Sequence, residues 1–248
     1  MAPAPSGSTT LFADLDVEVE LDAPLARHTW YGIGGRADAL VHPRSAEALA
    51  TLLRRCARND VRVRVLGEGA NLLVADEGVD GVVVRLDAPA FKGLQLNAEG
   101  PVTRARAGGG RDLGKTIRET VAAGLRGLEP LIGIPASIGG AVRMNAGGKY
   151  GAIGDVVETV GVVTWDGQER VFSRDEIGFG YRRCGLPAGI VTWAVLRLEP
   201  SDPVELGRGR GTSAPTRRAC SPWGRTAPGA CTGIPSILPP ASGSARAC

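Results

Sequence analysis

Between Ser45 and Leu86 the chain changes hydrophobic period twice. Leu49, Leu52, Leu53 and Cys56 fall at i, i+3, i+4 and i+7, the buried stripe of one helix. Ser45 stands where a cap belongs, Glu47 lies in the first turn, and Arg54, Arg55 and Arg58 lie near the end, all as the helix dipole favours. Asn59-Asp60 closes the helix. Val61-Arg-Val-Arg-Val65 then alternates like a half-buried strand, and Asp80-Gly81 turns the chain into a second strand, Val82-Val-Val-Arg-Leu86. Strand, helix and strand joined by small loops predict mixed α/β or α+β architecture.

A second unit starts near Phe91. Residues 102–107 read as a strand, Gly108-Gly-Gly110 as a loop, and 112–123 as a helix with Leu113, Ile117 and Val121 aligned and Gly124 as its stop. Residues 156–165, Asp166-Gly167 and 168–172 form a hairpin pattern. Ser173-Arg-Asp-Glu176 is a capping box, and 190–198 reads as a mostly buried strand. After Pro203 no period survives. Residues 207–248 hold seven Gly, six Pro, seven Ala and nine Ser or Thr, against three Leu or Ile. That composition cannot bury enough apolar area to offset roughly 1–2 kcal/mol of ordering entropy per residue, so a disordered tail over 201–248 is expected. The expected division is a lead at 1–20, units at 21–86 and 87–200, and that tail.

Charge changes the picture once it is divided. The 248-residue chain carries a formal +3, but 207–248 has six Arg and no acidic residue, leaving 23 basic and 26 acidic side chains in the first 206. The body is mildly acidic, which argues against nucleic acid as partner. No apolar run approaches the length of a membrane span, and the start lacks the pattern of a secretory signal. Five cysteines, at 56, 184, 220, 231 and 248, give neither a zinc pattern nor a disulfide framework, so a cytoplasmic protein without a metal is expected.

Two small-residue segments carry the candidate chemistry. Leu66-Gly-Glu-Gly-Ala-Asn-Leu-Leu-Val74 follows the alternating strand, and residues 127–148 contain six glycines. Such loops let the backbone approach a flat or anionic ligand and donate N–H groups to it. Together they suggest one cofactor held between two lobes. Gly109-Gly-Arg-Asp-Leu-Gly-Lys-Thr116 also satisfies the P-loop pattern, which would make Lys115 and Thr116 nucleotide ligands. Val160-Gly-Val-Val-Thr-Trp-Asp166 could pose as a strand ending in a magnesium ligand, but Asp166-Gly167 is better explained as a hairpin turn. Gly32-Ile-Gly-Gly-Arg-Ala37 imitates a dinucleotide fingerprint, but no apolar strand precedes it. His28 and His42 are the only histidines and support no catalytic triad.

Thr29-Trp-Tyr-Gly-Ile-Gly-Gly35, Leu66-Gly-Glu-Gly-Ala-Asn-Leu-Leu73, Gly127-Leu-Glu through Asn145-Ala-Gly147, and Phe179-Gly-Tyr-Arg-Arg183 occur in that order. This series resembles the UDP-N-acetylenolpyruvoylglucosamine reductase family from about Leu21 to about Pro200. The resemblance implies an α+β, two-lobed FAD-binding domain of the vanillyl-alcohol-oxidase/PCMH type. It implies FAD as cofactor and NADPH as reductant, reducing the enolpyruvyl double bond of a UDP-sugar for peptidoglycan synthesis, in a monomer. Gly67, Glu68, Gly69, Ala70, Asn71 and Leu72 would hold the cofactor with Gly133, Ile134, Pro135, Ala136, Ser137, Gly139, Gly140, Ala141 and Asn145, its pyrophosphate lying between the two loops. Arg182 would take the family's active-site arginine role beside an acidic partner, and Tyr181 would line the substrate pocket. A permanent charge on a planar fork of donors suits a substrate carboxylate.

Four features depart from the family pattern: His28 for Asn, Ala136 for Gly, Cys184 for Ser, and Gly148-Lys149 lengthening the spacing to Tyr150. A larger departure follows position 200, where the family carries a third, substrate domain with a proton-donor serine and a glutamate. Here no Glu follows Glu205 and no such serine motif is present. The Arg, Ala, Gly, Pro, Ser, Thr and Cys composition is that of an out-of-frame GC-rich gene. A frameshift between Pro203 and Gly211 with impaired catalysis is expected, a genuine short form being the alternative. Another FAD-binding oxidoreductase of the same fold, or a P-loop nucleotide-binding module, are the competing functions.

Overall fold

The computed structural model describes residues 11–201. The expected tail therefore lies outside the described residues, apart from Ser201. The expected lead extends too far. Leu11 is buried against the first core, and the first strand begins at Val17, because Val17-Glu-Val-Glu-Leu21 alternates and pairs with residues 39–43.

The first lobe is a four-stranded sheet of β1 (Val17–Pro24), β2 (Arg36–Pro43), β3 (Val63–Val65) and β4 (Val79–Val84), in the order β1-β2-β4-β3. β1 runs antiparallel to β2, whereas β2, β4 and β3 are mutually parallel. Helix α1 (Ala46–Arg58) supplies the parallel crossover, with Ser45 Oγ accepting from the Ala48 N–H at 3.1 Å. Its Leu49, Leu52, Leu53 and Cys56 stripe is buried on Ala39, Val41, Val82 and Val84. Burial drives the Cys56 thiol up to about 11.

Asp80-Gly81 does not turn the chain. It sits inside β4, where the register against β2 slips between Ala37 and Ala39, and the Asp38 carboxylate accepts from the Gly81 N–H at 2.8 Å. The extra residue is absorbed as a bulge, so the strand continues where a turn was expected.

The second lobe is antiparallel throughout. β5 (Leu94–Glu99), β6 (Val102–Gly108), β10 (Val157–Thr164), β11 (Glu169–Ser173) and β12 (Gly189–Pro200) order as β11-β10-β12-β6-β5, with short β7 (Leu125–Arg126) at the end of β12. The buried β12 lies at the centre. Helix α2 (Leu113–Ala122) and a six-residue helix α3 (Ile138–Arg143) cover the sheet, packing Leu113, Ile117, Ile138 and Val142 on Ala105, Ala194 and Leu196. A two-residue ladder, β8 (Gly147–Gly148) and β9 (Gly151–Ala152), follows α3. The two lobes share a core: Val163 and Ile190 of the second pack into the cluster around α1. Among the described residues no helix is long and apolar enough to cross a membrane.

Candidate functional site

A cavity of about 1180 Å³ opens between the lobes. It exceeds the roughly 300–1,000 Å³ of ordinary small-molecule sites, so it suits a large ligand. The first lobe contributes residues 65–72 and 85–87, which leave the carboxyl ends of the parallel β3 and β4. That is where open parallel sheets place ligands.

The first loop is built to present its backbone. Among the described residues, none of the N–H groups of Gly67, Glu68, Gly69, Ala70, Asn71 and Leu72 has a hydrogen-bond acceptor, although all six residues line the cavity. Consecutive unpartnered amides in a turn form a concave site for an anion. The loop is braced from behind. Gly69, at φ +67°, accepts from the Trp30 N–H at 3.1 Å, and any Cβ on it would stand 2.1 Å from the His28 carbonyl oxygen. Gly69 is therefore required by packing against the 28–30 backbone rather than by ligand approach.

The second segment behaves differently. Ile134, Pro135, Ala136, Ser137, Gly139, Gly140, Ala141 and Asn145 line the same cavity, but Gly133 does not; it forms an open turn at φ +86° before the wall begins. Residues 138–141 are not loop but the start of α3. Ile138 and Gly139 donate to the carbonyls of Arg111 and Gly109, both at 2.8 Å, while Gly140 and Ala141 donate to the Ser137 hydroxyl and carbonyl. Burial of Ile138, Ala141 and Val142 outweighs the low helix propensity of two glycines, each costing roughly 1 kcal/mol relative to Ala. The lobes meet here: a Cβ on Gly67 would lie 2.8 Å from Ser137 Oγ.

The P-loop pattern has a structural explanation. The Asp112 carboxylate accepts from the Lys115 N–H and so occupies the α2 N-terminus where a phosphate would bind. The Lys115 side chain is 61% exposed and faces Glu119 at 3.9 Å. The Thr116 hydroxyl is buried between Arg111 Nε (3.0 Å) and the Asp112 carbonyl (2.8 Å). Gly109 and Gly110 do line the cavity, yet a Cβ on Gly110 would stand 1.6 Å from the Leu86 carbonyl oxygen. These glycines let two chain segments cross.

Several wall residues escaped the sequence reading. Arg85 and Asp87 sit just past β4; Asp87 bonds His42 Nδ1 at 2.7 Å and lies 3.4 Å from Arg85 Nε. Arg85 also meets His28 Nδ1 at 3.0 Å, and Arg27 Nε meets the other ring nitrogen at 3.2 Å. Partial burial, then these two guanidinium groups, hold the His28 pKa below its usual value. The available signal was a charged residue directly after an apolar parallel strand. Arg143 lines the wall but donates to the carbonyls of Leu186, Pro187 and Gly189 at 2.6–3.1 Å, which fixes the start of β12.

Tyr181 and Arg182 project from a tight turn at the cavity edge. Gly180 and Arg183 exchange N–H···O bonds of 3.0 and 3.2 Å, and Arg182 holds a left-handed φ of +53°. Strained non-glycine backbone of this kind clusters at functional sites. The guanidinium lies 5.5 Å from the Tyr181 ring centroid, and no carboxylate among the described residues pairs with it. No group of three or more His, Cys, Asp or Glu side chains among the described residues is placed to hold a metal ion.

Residues 37–173 match a family model described as FAD binding domain, more than half of the chain. The UDP-N-acetylenolpyruvoylglucosamine reductase of Rhodopirellula baltica is 37% identical over 204 residues, 82% of this chain and 66% of that protein. The crystal structure of UDP-N-acetylenolpyruvylglucosamine reductase from Thermus caldophilus aligns with a TM-score of 0.63 at 39% identity, over 77% of this chain and 65% of that one. The chain thus spans just under two thirds of the length of these relatives. A chitooligosaccharide oxidase, 19% identical with a TM-score of 0.61, covers 79% of this chain and 44% of its own and shows the shared fold. The architecture is the two-lobed α+β FAD-binding fold of the vanillyl-alcohol-oxidase/PCMH type.

Proposed function

Because the chain belongs to the FAD binding domain family, we propose that it binds FAD in the inter-lobe cavity and serves the NADPH-dependent reduction of UDP-N-acetylenolpyruvoylglucosamine. The observation that carries the cofactor assignment is the row of six amides at residues 67–72 that have no acceptor among the described residues, which fits a pyrophosphate. The apolar wall of Ile134, Pro135, Ile190 and Val191 suits a flat ring system. Bound FAD supplies the two-electron chemistry between NADPH and the enolpyruvyl double bond.

The protein's own residues position the reactants. The amides of 67–72 hold the anionic centre of the cofactor, with Ser137 and the start of α3 closing the opposite side. Arg182, without a carboxylate partner among the described residues, holds the substrate carboxylate at the cavity edge, and Tyr181 covers it. A fixed cation there stabilises negative charge that develops next to the carboxylate as the double bond is reduced. This reading places the reaction on a soluble UDP-sugar in the cytoplasm, carried out by a monomer.

The test is direct. The purified chain should show the visible absorption bands of bound flavin but, with no Glu after Glu205 and no proton-donor serine motif, oxidise NADPH at a strongly reduced rate when the UDP-sugar is added. A colourless protein that takes up no added FAD and binds ATP through Lys115 would refute the cofactor assignment. NADPH oxidation with the UDP-sugar at an ordinary enzymatic rate would refute the expected impairment while leaving the cofactor assignment.

A further inference from the structure

Asn145 stands out because its side chain is already engaged. It lines the cavity, yet its carboxamide Nδ2 donates to the Gly180 carbonyl at 3.0 Å and its Oδ1 accepts from the Gly154 N–H at 3.0 Å. Both polar atoms thus face protein backbone. The residue stands just past the Met144 cap of α3 and adopts a left-handed φ of +42°, a conformation Asn tolerates better than other side-chain-bearing residues. Gly180 is the residue that closes the Tyr181–Arg182 turn by exchanging two hydrogen bonds with Arg183. Below it, a Cβ on Gly154 would lie 2.8 Å from both Asn145 Oδ1 and the Phe179 ring, so the packing around the carboxamide is closed.

We propose that Asn145 is a positioning residue for Arg182: it ties the end of α3, beside the cofactor-binding wall, to the turn that carries the substrate-facing cation. The cofactor-ligand role expected from sequence is replaced by this one. The inference rests on the reading of Arg182 as the substrate-carboxylate ligand. Chemically, one carboxamide fixes two backbone segments far apart in sequence. The strained turn keeps its shape because Gly180 cannot shift without breaking the Asn145 bond.

The test uses the flavin-loaded full chain and Asn145→Gly, which keeps the left-handed backbone accessible and removes the side chain that carries the carboxamide. FAD affinity should stay within about threefold of wild type. Amide exchange across residues 180–185 should accelerate by about tenfold or more, while β10 and β12 stay protected. Asn145→Asp retains the acceptor for Gly154 but places an oxygen against the Gly180 carbonyl, so it should accelerate exchange at least as much. The affinity for UDP-N-acetylenolpyruvoylglucosamine, read from its perturbation of the flavin spectrum, should weaken roughly tenfold in both variants. Unchanged exchange at 180–185 overturns the proposal, and a tenfold loss of FAD affinity with unchanged exchange restores Asn145 to the cofactor. If wild type shows no spectral response to the UDP-sugar, the functional reading fails instead. The exchange result then decides the Asn145 role alone, faster exchange supporting it and unchanged exchange refuting it.

Discussion

Residues 67–72 and 133–141 look alike in sequence, small and glycine-rich, and the same cavity is lined by all of the first and most of the second. Their backbones are in opposite states. The first leaves six amides without an acceptor among the described residues, whereas the second has Ile138, Gly139, Gly140 and Ala141 already donating to the protein. Glycine content alone therefore does not report ligand contact. In the first loop it opens a row of donors toward the cavity; in the second it lets a short helix start against the strand ends at Gly109 and Val191.

The largest expected effect breaks the first region. Gly69→Val combines a left-handed backbone with a Cβ 2.1 Å from the His28 carbonyl, which cannot move aside as a flexible side chain would. Destabilisation of about 3 kcal/mol or more is expected, together with loss of flavin, read by thermal unfolding and by absorbance. Retention of both would mean that the loop is free to rearrange. In the second region Ser137→Ala removes the cap of α3 and should cost about 1 kcal/mol of stability. FAD affinity should fall by less than about threefold, under 1 kcal/mol. A hundredfold loss of FAD affinity at unchanged stability would show that 133–141 binds the cofactor as directly as 67–72.

Smaller effects sharpen the contrast. Lys115→Ala should leave flavin content unchanged and cost at most about 0.5 kcal/mol, since it removes only an exposed pair with Glu119. ATP binding that disappears in this variant would reinstate the P-loop. The smallest effect concerns His28. Its folded pKa lies below the usual 6.5, so the unfolded chain takes up the proton first as the pH falls. The stability contribution is complete above 6.5 and is lost as the pH drops through 6.5 toward the folded value. His28→Asn should flatten the dependence of melting temperature on pH in that window. An unchanged slope would mean that the Arg85 and Arg27 contacts do not govern the protonation of His28.

Much of the scaffold was legible. Ser45, the Leu49 stripe and the Asp166-Gly167 hairpin rest on local periodicity and turn chemistry, and they form as expected. β1 is written in the alternation of Val17-Glu-Val-Glu-Leu21, but its first residues fall within the lead expected at 1–20. Helix α3 was illegible because its stability comes from tertiary burial of Ile138 and Val142 rather than from propensity. Within the site, the cavity-lining residues of 67–72 stood out as a small-residue run. The engagement of Asn145 with Gly154 and Gly180, and the approach of Gly67 to Ser137, depend on segments that meet only in the fold.

The proposed FAD site depends on the amides of residues 67–72 as the donors that receive the anionic part of FAD. Amide exchange measured with and without FAD tests it most directly. Bound FAD should slow exchange at 67–72 by about tenfold or more, while Gly139, Gly140 and Ala141, already hydrogen-bonded, should change little. Saturation with FAD that leaves exchange at 67–72 unaltered would contradict the account.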